Sequence, residues 1–307
     1  MIENKKDDNI KKHSDDNSKA AYFCVVLSAI LWGIIGIFVK KLDEYGFSNI
    51  QIVFIRAFVA TVSVALYILI KNNKIEAIEL KDAKYFVGTG ILSFAFFNWC
   101  FFIAINKTSL AVAAILLYTA PTIVMIFSVF LFKEKMTKNK AASLLLTFAG
   151  CVLVTFSAQA TGIKVSFVGV LAGLGSGLGY GLYSIFSRYA LEKYDSMTVT
   201  LYTFIFASLS LIPAINLPQM VSLFSNLNSV FYAVTLGVLS TTMPFLLYTY
   251  GLTQIQSSKA SIIATLEPIV ATVVGIVLYS EGITILKILG IIIVVLGLAA
   301  MRNPQNE

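Results

Sequence analysis

Residues 106–137 read NKTSLAVAAILLYTAPTIVMIFSVFLFKEKMT, and residues 253–284 read TQIQSSKASIIATLEPIVATVVGIVLYSEGIT. The second stretch is a diverged copy of the first. With Pro121 set against Pro268, an offset of 147, Glu134 meets Glu281, Thr137 meets Thr284, Lys140 meets Lys287 and Gly150 meets Gly297. The chain has 307 residues, so the offset is close to half its length. Two strongly apolar copies of one unit point to a membrane protein with internal pseudo-symmetry.

Composition agrees. Apolar residues make up 58% of the chain and charged residues 13%, with a mean hydropathy of +0.84. A soluble domain carries about 25% charge. A helix crossing lipid needs roughly 20 mainly apolar residues. Ten such runs follow one another at 22–40, 50–70, 85–105, 110–131, 141–158, 167–187, 196–215, 231–250, 257–279 and 286–301. Strands of a membrane barrel would alternate polar and apolar residues, and AVAAILLYTAPTIVMIFSVFLF does not. Helices satisfy their own backbone in lipid. The expected fold is an all-α integral membrane protein with ten transmembrane helices in two inverted five-helix repeats.

The first repeat is expected over 22–158 and the second over 166–301. Residues 1–21 read as a polar, solvated tail and 302–307 as a short C-terminus. The tail lacks the early apolar core of a signal peptide. It carries the lone His13, to which no catalytic role is assigned. Cys24, Cys100 and Cys151 sit in apolar runs without metal-ligand spacing and read as small buried hydrophobes.

Orientation follows from the basic residues. With the N-terminus inside, 17 of the 23 Lys and Arg fall in inner segments and five in outer ones, while Arg56 lies within a helix. Lysine and arginine concentrate on the cytoplasmic side. Both termini are therefore expected in the cytoplasm, in a multi-pass protein of the cytoplasmic membrane. Net charge of +7 then reflects membrane sidedness and implies no nucleic acid partner.

The starts of the halves also match, at an offset of 148. ILWGIIGIFVKKL (30–42) lies against LGYGLYSIFSRYAL (178–191), bringing Trp32 to Tyr180, Gly33 to Gly181, Phe38 to Phe186 and Lys40 to Arg188. Five helices per copy is odd, so the second copy enters the membrane from the opposite side. Inverted units can exchange conformations, one state opening inward and its mirror outward.

No GxxxxGK[ST], HExxH or GxSxG motif is present, and no enzyme activity, cofactor or metal is expected. GLGSGLGYG (173–181) lies inside an apolar run and lacks dinucleotide spacing. Gly169, Gly173, Gly177 and Gly181 recur every four residues, which makes one smooth helix face for close packing, with substrate contact as the alternative.

Polar groups within apolar runs carry the functional candidates. A carboxylate at mid-membrane costs roughly 2.5–3.5 kcal/mol on insertion scales. Glu267 is such a residue, and Pro268 behind it removes a backbone donor and bends the helix. Either Glu267 contacts solute or carries a coupling proton, or it caps freed backbone or pairs structurally. Pro121 repeats the bend in the first half, where Ala120 stands in place of the glutamate. Arg56 has three readings: snorkelling outward, pairing with Glu267, or attracting a carboxylate solute. Asn98, Trp32, Tyr183 and Tyr118 are candidate cavity-lining residues, with Tyr180 also inside a helix. Glu134 and Glu281 end apolar runs and read as structural, with Thr137 and Thr284 as helix caps.

ILWG, LYTAP…FKEKMT and LEP…YSEGIT, within two halves of five helices, resemble the EamA branch of the drug/metabolite transporter superfamily over residues 22–301. The resemblance implies secondary transport across the cytoplasmic membrane by two EamA domains. Members are often metabolite or amino-acid exporters. They commonly carry Glu-Pro in each half, a pattern that Glu267-Pro268 keeps and Ala120-Pro121 does not. The expected partners are a small-molecule solute, possible coupling protons and membrane lipid. The expected solute is an amino acid or related amphipathic metabolite, moved outward by alternating access. A non-transporting membrane sensor or scaffold is the alternative, and the sequence leaves the oligomeric state open.

Overall fold

The computed structural model describes the backbone of residues 2–71, 75–156, 166–280 and 282–300, and side chains from Ser18 onward within those ranges, Ala111 excepted. His13, the 157–165 segment between the halves, Glu281 and the C-terminal 301–307 lie outside what is described at side-chain level.

All regular structure in the described residues is helical. The order is α1 (Ile2–Gly33), α2 (Ile35–Glu44), α3 (Asn49–Ile70), α4 (Ala83–Phe86), α5 (Phe96–Lys107), α6 (Leu110–Leu117), α7 (Ala120–Phe132) and α8 (Lys138–Phe156), then α9 (Phe167–Ala190), α10 (Ser196–Leu211), α11 (Leu217–Leu223), α12 (Leu227–Gly237), α13 (Met243–Gln254), α14 (Ser257–Ile263), α15 (Glu267–Tyr279) and α16 (Ile285–Ala300). Several of these join end to end. Eight helical stretches are long and apolar enough to cross a membrane: 18–44, 49–70, 80–107, 112–132, 167–190, 196–214, 227–254 and 257–279. The protein is an all-α, multi-pass membrane protein. The 19-residue α8 and the 16-residue α16 pack against each other.

The helices begin where the sequence supplies caps. Ser48 and Gln51 form a reciprocal capping box on α3, and Ser109, Ser166 and Asp195 cap α6, α9 and α10. Thr137 and Thr284 accept from the backbone of Lys140 and Lys287 at the starts of α8 and α16. α7 and α15 each end on a left-handed residue, Lys133 (φ 54°) and Ser280 (φ 53°).

The continuous spans contain breaks that the apolar pattern does not announce. Between α4 and α5 the backbone is π-helical over Val87–Ala95, and between α12 and α13 over Val238–Thr242. A 3-10 turn, Ala264–Leu266, separates α14 from α15 immediately before Pro268, and α6 stops at Leu117 shortly before Pro121. α1 gives way to α2 at Ile34, whereas α9 runs unbroken. The short helix α11 lies in a connection that the apolar runs left without structure.

Close crossings rest on glycine. A Cβ added at Gly33 would lie 2.5 Å from Val270 and 2.9 Å from the Glu267 carbonyl. On α9, the same atom would lie 2.5 Å from Thr108 at Gly169, 2.4 Å from Leu116 at Gly173, 2.6 Å from Thr119 at Gly177 and 3.0 Å from Val124 at Gly181. These four positions thus carry α6 and α7 along one face of α9.

Candidate functional site

A cavity of about 1170 Å³ lies among the helices. At one end its wall includes Lys40, Asn49, Tyr279 and Thr284, all exposed, the last three at or beside helix ends. The cavity therefore reaches the surface there. In the middle it is lined by Arg56, Asn98, Tyr118, Tyr180 and Glu267, and its floor is made by Trp32, Tyr183, Phe245 and Tyr248.

The floor is aromatic and locked by hydrogen bonds. Trp32 meets Phe245 at 5.2 Å and Tyr248 at 5.3 Å between ring centroids, and Tyr183 stands edge-on to Phe245 at 4.9 Å. Offset and edge-to-face contacts of this kind contribute about 0.5–1.5 kcal/mol beyond area burial. Tyr183 and Thr249 share a hydrogen bond of 2.5 Å, and Ser184 and Tyr248 one of 2.8 Å. Further from the cavity, Arg188 donates to the carbonyls of Leu252 (2.6 Å) and Ile255 (3.5 Å). The Glu134 carboxylate accepts from the Ser257 backbone at 3.1 Å and from the Ser258 hydroxyl. The buried Lys140 lies 3.6 Å from Glu134. The turn between α13 and α14 is thus held from both sides, by a cation on the closing carbonyls of α13 and an anion on the opening donors of α14.

Glu267 stands at the first position of α15, where helix N-termini favour a carboxylate. Tyr180 donates to its Oε2 at 3.2 Å. Arg56 is buried on α3; its Nε donates to Thr241 Oγ1 at 3.3 Å and its guanidinium lies over the Phe94 ring at 5.2 Å. Its side chain stays inside the protein, and among the described residues no carboxylate lies within 4.0 Å of it. Asn98 turns its amide onto the Phe94 carbonyl at 2.7 Å, at the end of the first π-helical segment, where regular helical bonding is disturbed. Tyr118 is half-buried beside the cluster of Cys151, Ile269 and Val294.

The six residues picked as solute or coupling candidates, Glu267, Asn98, Arg56, Trp32, Tyr183 and Tyr118, share this one cavity. Pro268 also lines it, while Pro121 is buried away from it. Gly169, Gly173, Gly177 and Gly181 are not part of its wall. Sequence reasoning grouped Tyr180 with the intramembrane aromatics that could line a cavity without singling it out, and it missed Thr241, Phe94 and Tyr248 altogether. Tyr180 had a usable signal, its alignment with Trp32.

In its middle the cavity presents one cation, Arg56, and one carboxylate, Glu267, more than 4.0 Å apart, between aromatic walls, while Lys40 and Lys287 also line it. It suits binding. No group of three or more His, Cys, Asp or Glu able to hold a metal occurs among the described residues.

A multi-pass helical protein enclosing a polar-and-aromatic cavity is the architecture of a membrane carrier. A profile of the EamA-like transporter family matches residues 19–156 and again 167–302, and the chain belongs to that family. An "uncharacterized transporter" of Archaeoglobus fulgidus is 28% identical over 267 residues, which span 87% of this chain and 90% of the relative. Bacillus subtilis YyaM, described in the same words, is 25% identical over 76% of this chain and 78% of its own. The "uncharacterized inner membrane transporter" YicL of Salmonella typhimurium is 22% identical over 88% and 91% respectively. A solved crystal structure matches with a TM-score of 0.78 at 16% identity, covering 92% of this chain and 96% of that one, a likeness of fold alone. The protein is a membrane transporter of small solutes.

Proposed function

We propose that this transporter moves a small amphipathic solute, an amino acid or related metabolite, out across the cytoplasmic membrane by alternating access. The observation carrying this reading is the cavity itself. It is open at the Lys40–Tyr279 end, sealed at the Arg188–Glu134 end, and carries Arg56 and Glu267 on its wall without an ion pair between them. A zwitterion offers each of them its opposite charge, and an apolar body suits the aromatic surface. Glu267 is the coupling candidate, since a carboxylate in a membrane cavity exchanges a proton more readily than any neighbouring group.

The mechanism rests on ten membrane helices in two inverted repeats, 22–158 and 166–301, with α8 and α16 completing the eight longer spans. Contacts related by the sequence offsets support it. Gly90 packs on Phe206 and Gly237 on Val59, and an offset of 147 relates Gly90 to Gly237 and Val59 to Phe206. Gly33 packs on the Glu267 carbonyl and Gly181 approaches the Ala120 carbonyl, again equivalent positions. The two π-helical segments end at Ala95 and Thr242, likewise 147 apart. On the expected topology, with both termini cytoplasmic, the open end faces outward. The exporter direction is what the resemblance to the family's exporters implies.

Flux into proteoliposomes from a defined amino-acid and metabolite mixture, with and without an imposed proton gradient, tests the reading. Saturable movement of a restricted set of solutes supports it. Binding without movement at any gradient rejects it.

A further inference from the structure

The sealed end of the cavity has an identifiable counterpart at the open end. Closure is made by α9 against α13: Arg188 holds the Leu252 and Ile255 carbonyls, Ser184 bonds Tyr248, and Tyr183 bonds Thr249. At the offset of 148, Arg188, Ser184 and Tyr183 correspond to Lys40, Gly36 and Ile35. At the offset of 147, Leu252, Tyr248 and Thr249 correspond to Ile105, Phe101 and Phe102, and Ile255 to Thr108. All six of Lys40, Gly36, Ile35, Ile105, Phe101 and Phe102 line the cavity. The first three stand on α2 and the last three on α5.

These two walls are apart in this conformation. A Cβ added at Gly36 would meet nothing within 4 Å. Lys40 instead lies over the Tyr279 ring, 4.0 Å from its centroid. The helix carrying them is also jointed where its counterpart is not. α1 ends at Gly33, α2 starts at Ile35, and α9 passes the equivalent Gly181 unbroken. α1 packs on α13, α14 and α15, while α2 packs on α3 and α12. The joint therefore separates a segment fixed to the sealed side from one standing at the open side.

We infer that α2 is the moving half of an outer gate and that Lys40 is its locking residue. In the opposite-facing state α2 turns about Gly33–Ile34 and crosses the cavity to α5. Lys40 leaves Tyr279 and takes the carbonyls of Ile105 and Thr108, as Arg188 takes those of Leu252 and Ile255. Closing carbonyls of a helix carry partial negative charge, so an ammonium serves there as a guanidinium does. Gly36 comes against Phe101, with its missing side chain leaving room for the ring. The inference rests on the alternating-access reading, but its test requires no solute.

The test is cross-linking of the full-length protein in membranes, with its three cysteines replaced by alanine. One pair is Gly36→Cys with Phe101→Cys; the reference pair is Ser184→Cys with Tyr248→Cys. A short bifunctional thiol reagent is expected to link both pairs, and a chain carrying all four cysteines is expected to form one link per molecule, never both. Lys40→Met is expected to lower the 36–101 yield about tenfold, and Lys40→Arg to restore it. A 184–248 link without any 36–101 link overturns the gate, as does a molecule carrying both. Equal 36–101 yields with lysine and methionine at position 40 overturn Lys40 as its lock. Links that alternate in a protein moving no solute would leave the gate standing and reject the transport reading.

Discussion

Tyr180 donates its hydroxyl to Glu267 Oε2 at 3.2 Å and stands 6.3 Å from Trp32, ring centroid to ring centroid. Trp32 and Tyr180 occupy matching positions in the two halves. The carboxylate without a counterpart in the first half is thus held by one of two residues that do have counterparts. Beneath it, Gly33 lets the first helix approach the Glu267 carbonyl.

If Glu267 carries the coupling proton, Glu267→Gln removes the pH dependence of flux and keeps the acceptor for Tyr180. The expected result is flux flat with pH and independent of an imposed proton gradient. Tyr180→Phe, which removes one hydrogen bond to the carboxyl group but leaves that group in place, is expected to keep the pH dependence. Flux against pH in proteoliposomes checks both; an unchanged profile in Glu267→Gln rejects the coupling role.

Arg56 lines the cavity, held by Thr241 and Phe94, and in the proposed reading its charge meets the solute's carboxylate. Arg56→Met is expected to raise the half-saturation concentration of carboxylate-bearing solutes at least about tenfold, the effect of a lost charged hydrogen bond. Arg56→Lys keeps the charge but not the shape and should fall between. Thr241→Val tests positioning alone and should cost less than either. Concentration-dependent flux distinguishes them, and equal affinity in all three variants would remove Arg56 from recognition.

Gly177 and Gly36 should respond oppositely to alanine. At Gly177 the added Cβ meets Thr119 Oγ1 at 2.6 Å and the Leu116 carbonyl at 2.9 Å. Overpacking of this kind costs about 1–3 kcal/mol. At Gly36 the added carbon meets open space. Unfolding temperatures in detergent are expected to fall for Gly177→Ala and to hold or rise for Gly36→Ala.

Lys193 bonds both carboxylate oxygens of the buried Asp82 at 2.9 Å, and Tyr194 adds a third bond. The hydrogen bond to Asp82 raises the Lys193 pKa above the ordinary lysine value, with its charge adding to the effect. A raised folded-state pKa means stabilisation that is complete at neutral pH and fades as pH climbs through that value. Lys193→Met is expected to lower the unfolding temperature more than Lys81→Met, whose partner Glu79 is exposed. Thermal unfolding near neutrality, compared with strongly alkaline pH, should show the difference shrinking.

The membrane class was legible because lipid leaves few options: long apolar runs must be helices. The cavity residues were legible for a related reason. Arg56, Asn98 and Glu267 cannot face lipid cheaply, so they converge on the interior. The prolines marked the breaks before α7 and α15. The π-helical segments were not legible, since one extra residue per turn leaves no mark on an apolar run. Neither was the bond from Tyr180 to Glu267: alignment with Trp32 marks Tyr180 as a cavity residue, but does not say which acceptor its hydroxyl meets. The joint at Ile34 was hidden as well: the repeat predicts like helices, and α1–α2 and α9 differ because one end of the cavity is open.

The most direct measurement of the central claim is solute flux through purified protein in liposomes, read by mass spectrometry from a defined metabolite mixture. Saturable movement of a small set of amphipathic solutes, lost when Ser184→Cys and Tyr248→Cys are cross-linked, is the predicted result. Solute bound in the cavity but never released to the far side, whatever the gradient, would contradict transport and leave a membrane sensor or scaffold.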